Sequence, residues 1–140
     1  MKELLAKFFI GKNKIRSDVL KPKELFETIL KQMGELTSQD VSDLTKAYDY
    51  AFMKYQGLTR LNGEEFFTHP LEVALILTQL NVDVVTIESA MLHEVMNHAD
   101  VTHSELEEQF GSDIANIVDS ISKINRLELS DDSESSAIYL

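Results

Sequence analysis

Apolar residues recur at three- and four-residue intervals along most of the chain. No stretch alternates with the period of two that a half-buried strand requires, so the pattern predicts helices throughout. Pro22 suits a first helical turn, and Leu25, Phe26, Ile29, Leu30 and Met33 follow at helical spacing until Gly34 stops the run. Ser38 is placed to cap a longer helix whose apolar stripe is Val41, Leu44, Tyr48, Ala51, Phe52 and Tyr55, with Gly57 ending it. Residues 57–68, GLTRLNGEEFFT, read as a loop in which Asn62-Gly63 makes a tight turn, both residues accepting positive φ. Thr68 is expected to cap a third helix, with Pro70 near its first turn, through Leu71, Val73, Ala74, Ile76, Leu77 and Leu80. A fourth runs from about Val84 to His98. Thr102 with Glu105 spells a capping box for the short helix HSELEEQF, and Gly111 stops it. Ser112 begins a last helix with Ile114, Ile117, Val118, Ile121 and Ile124 as its buried face.

The expected architecture is therefore all-α, a bundle of about six helices with a single core, over residues 23–128. Residues 1–22 form a basic N-terminal segment, read as a short amphipathic helix docked on the domain. Residues 129–140 are read as an acidic, serine-rich mobile segment, whose closing AIYL looks like the start of a further, truncated helix.

Composition narrows the function classes. The chain has no cysteine, which excludes disulfides, iron–sulfur clusters and thiolate zinc sites and fits a cytoplasmic protein. No apolar run is long enough to span a membrane, so no membrane partner is expected. The net charge of −11 is uneven: residues 1–23 hold seven Lys and Arg, while 22 of the 24 acids lie beyond them. So acidic a body repels a nucleic-acid backbone, and no nucleic-acid partner is expected.

The chemistry concentrates in LHEVMNHAD, residues 92–100. The metalloprotease pattern HExxH needs histidines at i and i+4 on one helix face. Here His93 and His98 are five apart, so on a regular helix they point about 140° from each other. The zinc-protease reading fails. His93 and Glu94 can still share an ion if another helix contributes, and His69, next to Pro70, is the natural third donor. The bland alternative is that each histidine is hydrogen-bonded in the core or solvated, with His98 facing the surface and His103 in solvent.

Residues 45–124 resemble the hydrolase-type HD domain of the RelA/SpoT family. The resemblance rests on KAYDYAFMKYQG, then RLNGEEFFTHPLEVALIL leading to His-Pro, then MLHEVMNHADVT, then ELEEQFGSDIANIVDSISKI, in the family's order and spacing. It implies an HD fold and an enzyme of the alarmone (p)ppGpp, whose hydrolases hold one Mn²⁺ as a Lewis acid. It makes His69 and His93 the two histidine ligands, and sets Arg60 against the guanine nucleotide, where a guanidinium can stack on the base or pair with phosphate.

Departures from the family pattern bear on activity. Glu94 stands where the family has a metal-binding Asp, and its extra methylene moves the carboxylate by about 1.5 Å. Asn97 and His98 replace the Glu-Asp pair that orients and activates water. The family's last Asp ligand belongs to a later motif that this sequence does not reach, and Asp119 matches a residue that is not a ligand. The resemblance thus implies an HD module deficient in hydrolysis, regulatory for an attached GTP pyrophosphokinase (synthetase) region, with Mn²⁺ retained only if His69, His93 and Glu94 still bind it. The alternatives are a working Mn²⁺-dependent (p)ppGpp 3′-pyrophosphohydrolase using Glu94, and a stand-alone helical interaction module.

Overall fold

The computed structural model describes residues 20–131. The expectations for the segment before residue 20, and for the mobile stretch and AIYL after residue 131, lie outside the described residues. Among these, the elements are α1 (Pro22–Met33), α2 (Ser38–Lys54), α3 (Thr68–Leu77) continued by a 3₁₀ turn (Thr78–Leu80), α4 (Val84–Leu92), a single turn α5 (Val95–His98), α6 (His103–Phe110) and α7 (Ser112–Asp131). The all-α expectation holds, with six longer helices and one short one. The only extended pairing among the described residues is an isolated bridge between Thr59 and Glu65.

Helix α4 is the axis of the fold. It packs against α2, α3 and α7, and six consecutive residues, Ile87 to Leu92, are buried. A helix covered on most sides carries no amphipathic stripe, which is why Glu88 and Ser89 are buried alongside Ile87 and Met91. Around it, α1 lies on α3 and α6 on α7. Leu25, Ile29, Leu44, Leu71, Leu75, Leu106 and Val118 fill the space between. Fully burying each such side chain contributes about 1.5–3 kcal/mol.

Caps and turns differ in detail from the sequence pattern. Thr37, not Ser38, caps α2: its Oγ1 accepts the Asp40 N–H at 3.0 Å while the Asp40 carboxylate accepts the Thr37 N–H at 3.1 Å. Thr68 caps nothing, because α3 grows directly out of a helical turn at Phe67. Only half of the capping box at α6 forms. Thr102 accepts the Glu105 N–H, but Glu105 is drawn away to the Tyr50 hydroxyl and to Lys54 at 3.1 Å, tying α6 to α2. In the Asn62-Gly63 turn only Gly63 takes positive φ, 89°; the Asn62 side chain instead accepts the Glu64 N–H at 3.0 Å.

The apolar stripes are also only partly buried. Val41 and Phe52 on α2, and Ile117 and Ile124 on α7, are exposed, while Ala47, Ala115 and Ser122 occupy core positions. Close helix approach selects small residues there, which hydropathy alone does not single out.

Candidate metal centre

The fourth helix does not run from Val84 to His98. It stops at Leu92 and restarts at Val95, and Tyr55, the residue that caps the end of α2, sits at the interruption. In a regular helix the Glu94 N–H would reach the Ala90 carbonyl. Here that carbonyl takes the His93 Nδ1–H at 2.6 Å and the His93 N–H at 3.3 Å. The displaced Glu94 N–H donates to the Tyr55 hydroxyl at 3.2 Å, and the hydroxyl donates to the Met91 carbonyl at 3.3 Å. A side chain inserted into the i→i−4 ladder is a recognised cause of such a break. Tyr55 is itself buried, held against the rings of Phe66 and Phe67, each 5.3 Å away.

The break re-aims His93, while the intact turn from Glu94 to His98 sets those two side chains on one face. His93 and His98, expected to diverge, both come to the Glu94 carboxylate. Nε2 of His93 lies 3.3 Å and Nε2 of His69 3.4 Å from Oε2, while Nε2 of His98 lies 3.3 Å from Oε1. His98 is half exposed, as its surface reading requires, but it is not without a partner. Besides Glu94 it has the ring of Phe66 at 4.9 Å. His103, expected in solvent, faces the Asn116 side-chain oxygen at 2.8 Å.

His69 reaches the cluster from the second residue of α3. The preceding loop is clamped by Arg60 N–H to Glu64 O at 2.9 Å and Phe66 N–H to Leu58 O at 3.1 Å, which fixes where α3 begins. The same loop sets Arg60 close enough for its charge to act on His69. Asn97 lies a turn away with its side-chain oxygen accepting the hydroxyl of the buried Ser122 at 2.8 Å. Asp119 is elsewhere, paired with Lys123 at 3.3 Å on α7.

The electrostatics identify a place for a cation. The Ala90 carbonyl can only accept, so Nδ1 of His93 carries the proton, and in the neutral ring Nε2 presents a lone pair to Oε2 of Glu94. Oε2 is buried and has no well-aligned hydrogen-bond donor. Two acceptors facing each other at 3.3 Å repel unless a proton or a metal ion lies between them. Burial holds the His69 imidazole below its ordinary value, against the pull of Glu94 and with help from Arg60 and His93. Burial works against the charge on Glu94, yet His93, then His69 and His98, outweigh it and keep the carboxyl below its ordinary value. A neutral imidazole and an ionised carboxylate are the states that ligate metals. Among the described residues, one donor atom each from His69, His93 and Glu94 lie within 4.8 Å of one another. The set fits a metal ion. On another side, His93 lines an apolar cavity of about 180 Å³ with Val73, Leu77, Ile117 and Ile121.

Tyr55 and Ser122 carry no functional mark in the sequence. Tyr55 reads as one more stripe residue of α2, and only its hydroxyl position reveals that it shapes the centre.

A helical bundle with a His-Pro histidine and a second histidine meeting an acidic residue defines the HD-domain class. The chain matches the HD-domain family over residues 47–139, two thirds of its length, and belongs to it. Within that class it is an HD domain of the RelA/SpoT family. It is 37% identical over 102 residues, 73% of this chain, to a guanosine-3′,5′-bis(diphosphate) 3′-pyrophosphohydrolase of Vibrio cholerae. It is 33% identical over 114 residues, 81% of this chain, to the bifunctional (p)ppGpp synthase/hydrolase SpoT of Escherichia coli. Over 86 residues, 61% of this chain, it is 40% identical to a GTP pyrophosphokinase of Brucella melitensis. The chain spans only 14%, 16% and 12% of the length of these three relatives.

Proposed function

We propose that this chain is the HD module, residues 23–128, of a cytoplasmic guanosine polyphosphate metabolism protein, deficient in hydrolysis and regulatory for an attached GTP pyrophosphokinase region. In this reading His69, His93 and Glu94 hold the metal ion, which when bound would supply Lewis acidity, and Arg60 contacts the guanine nucleotide (ppGpp). The observation that carries it is the side-chain chemistry at residues 97 and 98. Water activation needs a base within about 2.6–3.2 Å of the attacking oxygen. Asn97 offers an amide, which has no basic lone pair on nitrogen and whose oxygen is occupied by Ser122. His98 is turned toward Glu94. Glu94 is itself enclosed by three imidazoles, so its carboxylate is committed to them.

The second reading, a Mn²⁺-dependent (p)ppGpp 3′-pyrophosphohydrolase, is favoured by one observation: the converging His69, His93 and Glu94 retain the set that a metal needs. The two separate on pyrophosphate release from ppGpp in the presence of Mn²⁺. No release above that of a His93→Ala variant is expected. Metal-dependent turnover lost in that variant establishes the hydrolase instead.

A further inference from the structure

We propose that the cavity between α2, α4 and the α6–α7 corner is a binding site for a small organic cation, a short aliphatic diamine, held by Glu88 with Asp43 and Asp113. The cavity measures about 330 Å³. It shares no lining residue with the His69, His93 and Glu94 cluster, so the proposal stands apart from any metal there.

Glu88 is the residue that points to a ligand. It is 6% exposed on the central helix and lines the cavity, yet its carboxylate has no hydrogen bond or ion pair among the described residues. A carboxylate so enclosed is costly to ionise unless a partner neutralises it. Lys46, the cationic side chain of the lining, is turned to other partners: its Nζ donates to the Gln109 carbonyl and lies 5.0 Å over the Phe110 ring.

Charge selects the sign of the ligand. Asp43 on α2 and Asp113 in the first turn of α7 bring two more carboxylates to the lining. Asp43 gives one oxygen to the Gln39 amide at 2.8 Å and keeps the other. The N-terminus of α7 would attract an anion, but Asp113 already answers its dipole. Three acids against one committed lysine favour a cation and repel phosphate.

Size and spacing select its class. Among the described residues, only His69, His93 and Glu94 bring three ligand atoms within 4.8 Å of one another. The carboxylates of this cavity therefore stand too far apart to close together on one bare metal ion. An alkyl chain with an ammonium at each end spans such a separation, each N–H donating to a carboxylate oxygen. Its methylenes meet the apolar part of the wall, Val85 and Ile114.

The test is calorimetric titration with 1,4-diaminobutane in about 0.15 M NaCl, where loose surface pairing is screened. Butylamine, MgCl₂ and sodium phosphate serve as comparison ligands, and Glu88→Gln and Asp43→Asn as variants. The charged groups around Glu88 are Asp40, Asp43 and Lys46 of α2, Asp83 at the head of α4 and Asp113 of α7. Burial first, then Asp43 and Asp40, push its carboxyl up to about 7. The diamine should therefore bind about tenfold tighter at pH 8 than at pH 6, as Glu88 ionises. Butylamine, with one charge, should bind about tenfold or more weaker, and phosphate should give no heat. Glu88→Gln should lose about tenfold or more at pH 8, and the pH dependence with it. Asp43→Asn should lose affinity and keep that dependence. Thermal unfolding of each variant checks that it is folded. Diamine affinity unchanged in Glu88→Gln places the ligand elsewhere on this acidic chain and overturns the site, as does the absence of binding. Binding of Mg²⁺ or phosphate, but not of the diamine, that Glu88→Gln abolishes overturns the class of ligand.

Discussion

The hydroxyl of Tyr55 and the backbone N–H of Glu94, 3.2 Å apart, join two helices at the point where the second is broken. That contact bears on which way the Glu94 carboxylate and the His93 imidazole face. It converts an unremarkable stripe residue of α2 into the support of the centre, and it leads to the first expectation.

Tyr55→Phe keeps the ring packing against Phe66 and Phe67 and removes only the oxygen. It strands the Glu94 N–H and the Met91 carbonyl in a buried place, at a cost of about 1–3 kcal/mol. Thermal unfolding of the metal-free protein should show a loss of that size, and metal affinity should fall with it as the turn at His93 relaxes. Unaltered stability and affinity would mean that the helix breaks for another reason.

Metal binding should itself be visible as stability. An ion that binds only the folded state adds about 2.7 kcal/mol at a concentration of 100 Kd. Adding excess Mn²⁺ should therefore raise Tm, and a chelator should reverse the rise. Because His93 supplies one of the converging nitrogens, His93→Ala should abolish it. A rise of equal size in that variant would place the ion elsewhere on this acidic chain.

Acidification should weaken the fold through the centre. Glu94 is held below its ordinary value, so the stability it contributes is full above the unfolded carboxyl value near 4.5 and is lost as pH falls through the lower folded value. His69 is also depressed, so the unfolded chain takes up its proton first and stability starts to drop as pH falls through about 6.5. Both act in the same direction. In a Glu88→Gln background, which removes the one carboxyl that acts oppositely, the unfolding free energy of the metal-free protein measured between pH 8 and pH 4 should decline, and His69→Gln should flatten the part near pH 6. A curve that is level from pH 8 to pH 5 would contradict the ionisation states assigned to the centre.

Glu88 should behave oppositely. It is 6% exposed on α4, and burial, with Asp43 and Asp40 adding and Lys46 opposing, pushes its carboxyl up to about 7. The folded chain therefore holds a proton that the unfolded chain gives up, and the penalty grows from about pH 4.5 to 7 and is complete above that. Glu88→Gln should match the parent at pH 4 and exceed it at pH 8. The gain should be about 1–3 kcal/mol, tempered by the water-accessible cavity of about 330 Å³ that Glu88 lines with Asp43 and Lys46. Equal stability of the two proteins at pH 8 would show that the carboxylate is well solvated.

Gly111 joins α6 to α7 at φ 92° and ψ 166°, a region almost confined to glycine. A Cβ added there meets no atom within 4 Å, so only backbone strain acts. Gly111→Ala should cost about 1–3 kcal/mol in chemical denaturation without altering metal affinity. A neutral result would mean that the junction re-forms with a different backbone.

The sequence by itself determined the helices and their order, because hydrophobic period, prolines and glycines are local signals that survive without a tertiary partner. It also pointed to His69, His93 and Glu94, since His-Pro and His-Glu are recognisable side by side. What it could not carry was direction. The helix from Val84 to His98 is continuous in pattern, and its interruption depends on a hydroxyl 39 residues away in sequence. His98 was assigned to the surface because a regular helix turns it away from His93; its meeting with Glu94, four residues earlier on the same face, is a local pairing across an intact turn. Ala115 and Ser122 took core positions that Ile117 and Ile124 were expected to hold, because the closeness of neighbouring helices, not residue hydrophobicity, sets which face of α7 is covered. Tertiary structure decided these points because each is a competition between a local preference and a distant contact, and the buried hydrogen bond of Tyr55 wins where leaving its partners unsatisfied costs more than one broken helical turn.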